Sequence, residues 1–232
     1  MMATTLAFDV YGTLIDTSGV TKALEDYAGN HAEAFSRLWR DKQLEYSFRR
    51  GLMQNYQNFA VCTKNALDYA CTFFHTEIPQ GAKEKLMDEY KRLPSFPEVQ
   101  DGLESLASCG FNMFAFSNGR ADDVKDLLRN ANIEHYFDGV VSVDEIRSFK
   151  PNPAVYCHFL RCAKSSGSDA WLISGNPFDV IGAISAGMCA AWIQRSPDMI
   201  FDPWEIEPTL TVATLTGLKE AIIGFGSRSE KK

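Results

Sequence analysis

The sequence predicts an α/β fold: a parallel sheet core with helices between its strands and one helical insertion near the N-terminus. Three observations carry this expectation. First, short apolar runs at Thr5–Phe8, Asn112–Phe116, Gly139–Val143, Ala170–Ile173 and Ala190–Ile193 have the length and texture of strands buried on both faces. Second, helical patterns such as Ala121–Asn130 and Pro153–Ala163 separate those runs, the alternation that right-handed βαβ units produce. Third, residues 17–93 show few strand signals and carry helix-spaced apolar residues over Val20–Tyr27, His31–Arg50, Tyr56–Phe74 and Ala82–Leu93.

A chain of 232 residues is long enough to bury a core of its own and suits one α/β domain carrying an insertion or two small domains, which composition does not settle. The expected core domain is 1–16 with 94–232, and the inserted cap is 17–93. Pro94 and Pro97 punctuate the exit from the insertion, and the parallel pattern resumes with a helix over Val99–Ala107. The N-terminal MMATTLAFDV has no basic leader, and no apolar run approaches the roughly 18 residues of a membrane span. A cytoplasmic protein with no membrane partner is therefore expected. The final GSRSEKK is expected to fray. A formal charge of -7 disfavours nucleic acid as a partner. Cys62, Cys71, Cys109, Cys157, Cys162 and Cys189 form no CxxC pair, which points to buried reduced thiols rather than a zinc knuckle or disulfide framework.

Ligands of open α/β sheets bind beyond the carboxyl ends of the strands, so the residue that follows each strand matters most. After the first strand stand Asp9, Tyr11, Gly12 and Thr13; after the second, Ser117-Asn118-Gly119; after the third, Lys150; after the fourth, Ser174, Asn176, Phe178 and Asp179. Each has a bland reading beside the chemical one. Asp9 suits a nucleophilic carboxylate on a rigid strand end, and equally a cap for the next turn. Gly12 permits a tight turn beside which the Thr13 hydroxyl and nearby amides can hold an anion, while Thr13 also serves as a plain helix N-cap. Ser117, Asn118 and Gly119 read as a neutral anion clamp or as a capped turn. Lys150 precedes Pro151-Asn152-Pro153, and Pro153 suits a first helical turn, so the lysine sits in a loop before a helix. An ammonium there could neutralise two rim carboxylates or remain a solvated charge. Asn176 and Asp179 fit either a polar turn or a shared water site.

Taken together these residues resemble the haloacid dehalogenase superfamily, whose strand-end motifs appear here as Asp9 with Thr13, Ser117, Lys150 and Asp179. Three local features make the chain similar to the L-2-haloacid dehalogenase (type II) branch: Phe8 to Leu14 around Asp9, Leu38 to Tyr46 around Arg40, and Ser117-Asn118-Gly119. The resemblance implies a Rossmann-like core with a helical cap. It implies hydrolysis of short L-2-haloalkanoic acids to D-2-hydroxy acids through an ester on Asp9, without a cofactor or metal. Superfamily phosphatases need a second Asp two residues after the nucleophile and a further metal-binding carboxylate. Here those positions hold Tyr11 and Asn176, and removing negative charge weakens any site for a hard divalent cation.

By the same resemblance Asp179 is the base for the hydrolytic water, with Asn176, Ser174 and Lys150 positioning it. Thr13, Ser117 and Asn118 hold the substrate carboxylate. Arg40 receives the halide, although a surface arginine paired with an acid is the ordinary alternative. Tyr11, Leu44, Phe59 and Phe178 form apolar walls. Tyr156 is a candidate orienter of Lys150, with core packing the alternative. Asp41 and Phe178 depart from the expected pattern, an uncharged residue and a tryptophan, and would alter the halide pocket. A homodimer is implied. The competing functions are a magnesium-dependent phosphatase of the same fold and a non-catalytic small-acid binding protein.

Overall fold

The strands form where the chain is apolar on both faces, and alternation sorts their side chains into two layers. In β1 (Thr5–Phe8) all four residues are buried. Leu6 and Phe8 join one apolar cluster, while Ala7 joins the other. Trp171 and Ile173 of β4 (Ala170–Ser174) likewise face the first cluster, and Ala170 and Leu172 the second. The computed structural model describes residues 4–229. Within them β2 (Asn112–Ser117), β3 (Gly139–Ser142), β5 (Cys189–Ile193) and β6 (Leu210–Val212) complete one parallel sheet in the order β3-β2-β1-β4-β5-β6.

The strand order reverses at β1, which pairs with β2 on one side and β4 on the other. The register sets Phe8 level with Ala115 and Ile173, so the residues after β1, β2 and β4 emerge along one edge. That crevice is where an open parallel sheet binds its ligand.

Helices α5 (Val99–Ala107), α6 (Ala121–Asn130) and α9 (Leu218–Ser229) cover one face of the sheet. They contribute Leu103, Leu127 and Leu218 to the first cluster. Helices α7 (Pro153–Cys162) and α8 (Pro177–Ser185) cover the other with Val155, Phe159 and Val180. Between β1 and α5 lie α1 (Gly19–Ala28), α2 (Ala32–Leu52), α3 (Phe59–Phe73) and α4 (Gln80–Glu89). Where the chain leaves for these helices and where it returns run side by side: Asp16 N donates to Pro94 O at 2.9 Å and Phe96 N to Leu14 O at 3.0 Å.

Several details differ from expectation. Helix α3 starts three residues later than its apolar pattern because Asn58 caps it, its side chain accepting from Val61 N at 3.1 Å. Strand β6 was not among the expected strands; it has only three residues, none fully buried, so it carries no apolar run. Helix α9 was not anticipated either, and it runs to Ser229, beyond the start of the segment expected to fray; 230–232 lie outside the described residues. Only Cys62 and Cys71 are buried, while Cys157 and Cys162 are exposed, so the expectation of buried thiols holds for two of six; all six are free. No described helix is long and apolar enough to cross a membrane.

Candidate active site

Asp9 extends β1 by one backbone hydrogen bond, N to Ile173 O at 2.9 Å, which fixes its carboxylate at the sheet edge. The next turn is closed by Gly12 at φ +83°, a left-handed conformation that favours glycine, with Gly12 N donating to Ile15 O at 2.9 Å. That turn brings Thr13 Oγ1 back to Asp9 Oδ2 at 2.9 Å.

The two carboxylate oxygens are held differently. Oδ2 accepts from Thr13 Oγ1, from Asn176 Nδ2 at 2.7 Å and, at 3.4 Å, from Ser174 Oγ. Oδ1 accepts, among the described residues, only from Lys150 Nζ, at 3.1 Å. Lys150 Nζ also donates to Asp179 Oδ2 at 2.7 Å and to Phe116 O at 2.8 Å, and lies 4.2 Å from the centre of the Phe116 ring. One ammonium thus serves two carboxylates inside the protein.

Burial governs the charges here. Asp179 is 0 % exposed, and burial pushes its carboxyl up to about 6, opposed by Lys150 and reinforced by Asp9. Burial works against the Lys150 ammonium, but Asp179 and Asp9 outweigh it and hold the lysine above its usual range. Burial also raises Tyr11 and Tyr90, keeping both phenols neutral at the pocket wall.

Four residues take partners other than those expected. Thr13 has no exposure; its hydroxyl donates to Asp9 and accepts from Gly175 N at 2.8 Å, so its one hydrogen is committed to Asp9 and not left for a substrate carboxylate. Asn176 Nδ2 reaches Asp9 and Tyr11 O at 3.1 Å, so its donors hold protein atoms rather than a water. Tyr156 is wholly buried and donates to Asp179 Oδ1 at 2.7 Å, orienting Asp179 and not Lys150 or a substrate. Asn118 Oδ1 accepts from Lys150 N at 3.0 Å and secures the lysine loop. Ser117 accepts from Gly119 N at 3.0 Å, which leaves its own hydrogen without an acceptor among the described residues.

Arg40, on α2, has no acidic partner among the described residues. Its Nη1 donates to Gln43 Oε1 at 2.6 Å and its Nη2 to Tyr11 O at 3.3 Å, so the cap arginine reaches the turn after Asp9. A small pocket beside this turn is lined by Tyr11, Phe59, Gln43, Thr63, Tyr90 and Gly119, among others. Leu44 and Phe178 do not line it; Phe178 instead meets Phe48 edge-on, ring centres 5.0 Å apart. Asp41 is exposed to solvent. Gln43, Thr63 and Tyr90 are pocket residues that sequence reasoning missed. The available signal was a polar Gln43 three and four positions after Arg40 and Trp39, on a buried helix face.

At this rim Lys150 Nζ lies between Asp9 and Asp179, 3.1 and 2.7 Å away. Elsewhere, Glu145, His158 and Cys162 approach one another, with His158 Nε2 3.2 Å from Glu145 Oε2. Cys162 Sγ is nearly equidistant from both His158 ring nitrogens, 3.8 and 3.7 Å, and so lies off the axis of either lone pair.

The sequence pattern of haloacid dehalogenase-like hydrolases matches residues 3–187. The chain is 36% identical over 217 residues to haloacetate dehalogenase H-2 of Moraxella sp. (strain B), covering 94% of this chain and 96% of that one. It is 31% identical over 216 residues to the (S)-2-haloacid dehalogenase of Pseudomonas fluorescens, covering 93% and 95%. Its fold superposes on L-2-haloacid dehalogenase from Xanthobacter autotrophicus with chloropropionic acid covalently bound, at a TM-score of 0.90 and 28% identity, covering 96% and 99%. The chain belongs to the haloacid dehalogenase-like hydrolases, in their L-2-haloacid dehalogenase branch.

Proposed function

We propose that this protein hydrolyses short L-2-haloalkanoic acids to D-2-hydroxy acids through an ester on Asp9, without a metal ion. The observation that carries the reading is the asymmetry of the Asp9 carboxylate. Oδ2 is tied by Thr13, Asn176 and Ser174, whereas Oδ1 meets, among the described residues, only the Lys150 ammonium. Oδ1 is the attacking atom. It displaces halide from C2 with inversion, and the bonding pair leaves with the halide towards Arg40.

The three donors on Oδ2 then serve the second step. A water loses a proton to Asp179 and attacks the ester carbon of Asp9, and charge develops on Oδ2 where Thr13, Asn176 and Ser174 already point. Each Asp179 oxygen accepts one hydrogen bond, leaving a lone pair free on both, and its raised pKa suits a base near neutrality. The hydroxyacid departs as an alkoxide that takes the proton held by Asp179, and the hydroxyl proton left on Asp9 passes to solvent, so both carboxylates are regenerated and Asp9 carries one oxygen from water. Ser117 is the hydroxyl left to donate to the substrate carboxylate. The related structure with chloropropionic acid covalently bound supports a covalent route.

Residues 17–93 form the cap in this reading, and the resemblance supports a cytoplasmic homodimer. Halide release from L- but not D-2-chloropropionate in the presence of EDTA is the expected result. Release from the D form alone, or a requirement for magnesium with activity on phosphate esters, would overturn it. A single turnover in heavy-oxygen water should label Asp9 first; binding of the acid without halide release would identify a non-catalytic protein.

A further inference from the structure

We propose that Gln43 and Thr63 are positioning residues that aim the Arg40 guanidinium at the departing halide and thereby set leaving-group preference. The inference rests on the reading of Arg40 as the halide acceptor. Gln43 is completely buried and Thr63 nearly so, yet both belong to cap helices, α2 and α3, that bury mostly apolar side chains. Their polar atoms form a directed relay. Thr63 Oγ1 donates to Phe59 O at 2.9 Å, so its oxygen is left to accept from Gln43 Nε2 at 2.5 Å. With the amide nitrogen committed, Gln43 Oε1 has to face Arg40 Nη1, at 2.6 Å. Trp39 Nε1 donates to Thr63 O at 2.8 Å and keeps α2 and α3 in step. Both residues line the pocket with Tyr11 and Phe59.

The chemistry of the anchor matters as much as its place. A carboxylate at position 43 would hold Arg40 equally well but would cancel the charge that a halide needs. An amide fixes the guanidinium and leaves its full charge available. Such stabilisation counts most for the poorer leaving group, because more negative charge must be absorbed in the transition state.

The test uses the full chain with chloroacetate and bromoacetate, together with inhibition by added bromide. Thr63→Val and Gln43→Leu are expected to lower kcat/KM for chloroacetate by about tenfold or more, to lower it less for bromoacetate, and to weaken bromide inhibition. Gln43→Glu should weaken bromide inhibition although it retains an acceptor for Arg40. Thr63→Ser, which keeps the hydroxyl, should restore both readouts to within about twofold of the parent. A purely structural role would lower the active fraction equally for both substrates; an unchanged bromide-to-chloride ratio and unchanged inhibition therefore overturn the proposal. Arg40→Ala separates the two layers. If it abolishes bromide inhibition while Thr63→Val does not move the ratio, the relay alone is wrong; if Arg40→Ala leaves bromide inhibition intact, the halide reading falls and the relay with it.

Discussion

The core rim and the cap hold their cations in opposite ways. On the rim, Lys150 lies between Asp9 and Asp179, 3.1 and 2.7 Å away, with side-chain exposures of 1%, 11% and 0% for the three residues. In the cap, Arg40 is fixed by a neutral amide and a backbone carbonyl and meets no carboxylate among the described residues. The difference separates two tasks. Charge on the rim is matched by two carboxylates inside the protein; charge in the cap is, in the proposed reaction, left available for the departing halide.

The strongest way to break this comparison is to remove the rim cation. Lys150→Met leaves two carboxylates buried without their ammonium, and unfolding in denaturant should show a loss of about 3–5 kcal/mol. Arg40→Met, with no buried partner to orphan, should cost far less stability, within about 1 kcal/mol, while halide release fails. Equal losses for the two variants would erase the distinction.

A smaller effect sharpens the rim alone. If Asp179 must be ionised to act as base, kcat should fall as pH drops through about 6, the value to which burial raises it. The Tyr156 hydroxyl bond favours the carboxylate, so Tyr156→Phe should move that acid limb to higher pH. A limb that stays in place or moves down would remove Asp179 from the second step.

The smallest expected effect lies in the cap. Asp41 is exposed, so Asp41→Asn should leave the chloride-to-bromide ratio within about twofold, as solvent screens a surface charge. A larger change would mean that charge near Arg40 is felt along the halide path.

Legibility in the sequence followed the range of the interaction. The strand runs and the start of α6 at Ala121 depend on neighbouring residues, and both were read directly. Strand β6 is short and half-exposed, and its place is set by pairing with β5, so no local run announces it. Gln43 was not read as a site residue because a polar residue on a helix ordinarily reads as surface. Only packing of α2 on α3 buries it against Thr63, 20 residues away.

What the sequence by itself determined was which residues stand at the carboxyl ends of β1, β2 and β4: Asp9, Ser117 and Ser174; Lys150 comes only after a further helical turn, Val143–Ile146, beyond β3. Apolar runs buried on both faces announce their own limits, and the residue beyond each limit must emerge at the sheet edge. What only the tertiary structure decided was the partner that each of them takes. Thr13 turns inward to Asp9 and Gly175, Tyr156 grips Asp179, and Asn176 reaches back 167 residues to Asp9. The physical reason is that a hydroxyl or amide carries equal hydrogen-bonding capacity wherever it stands, and its choice of partner is made by whichever atoms the packed helices bring within 3 Å.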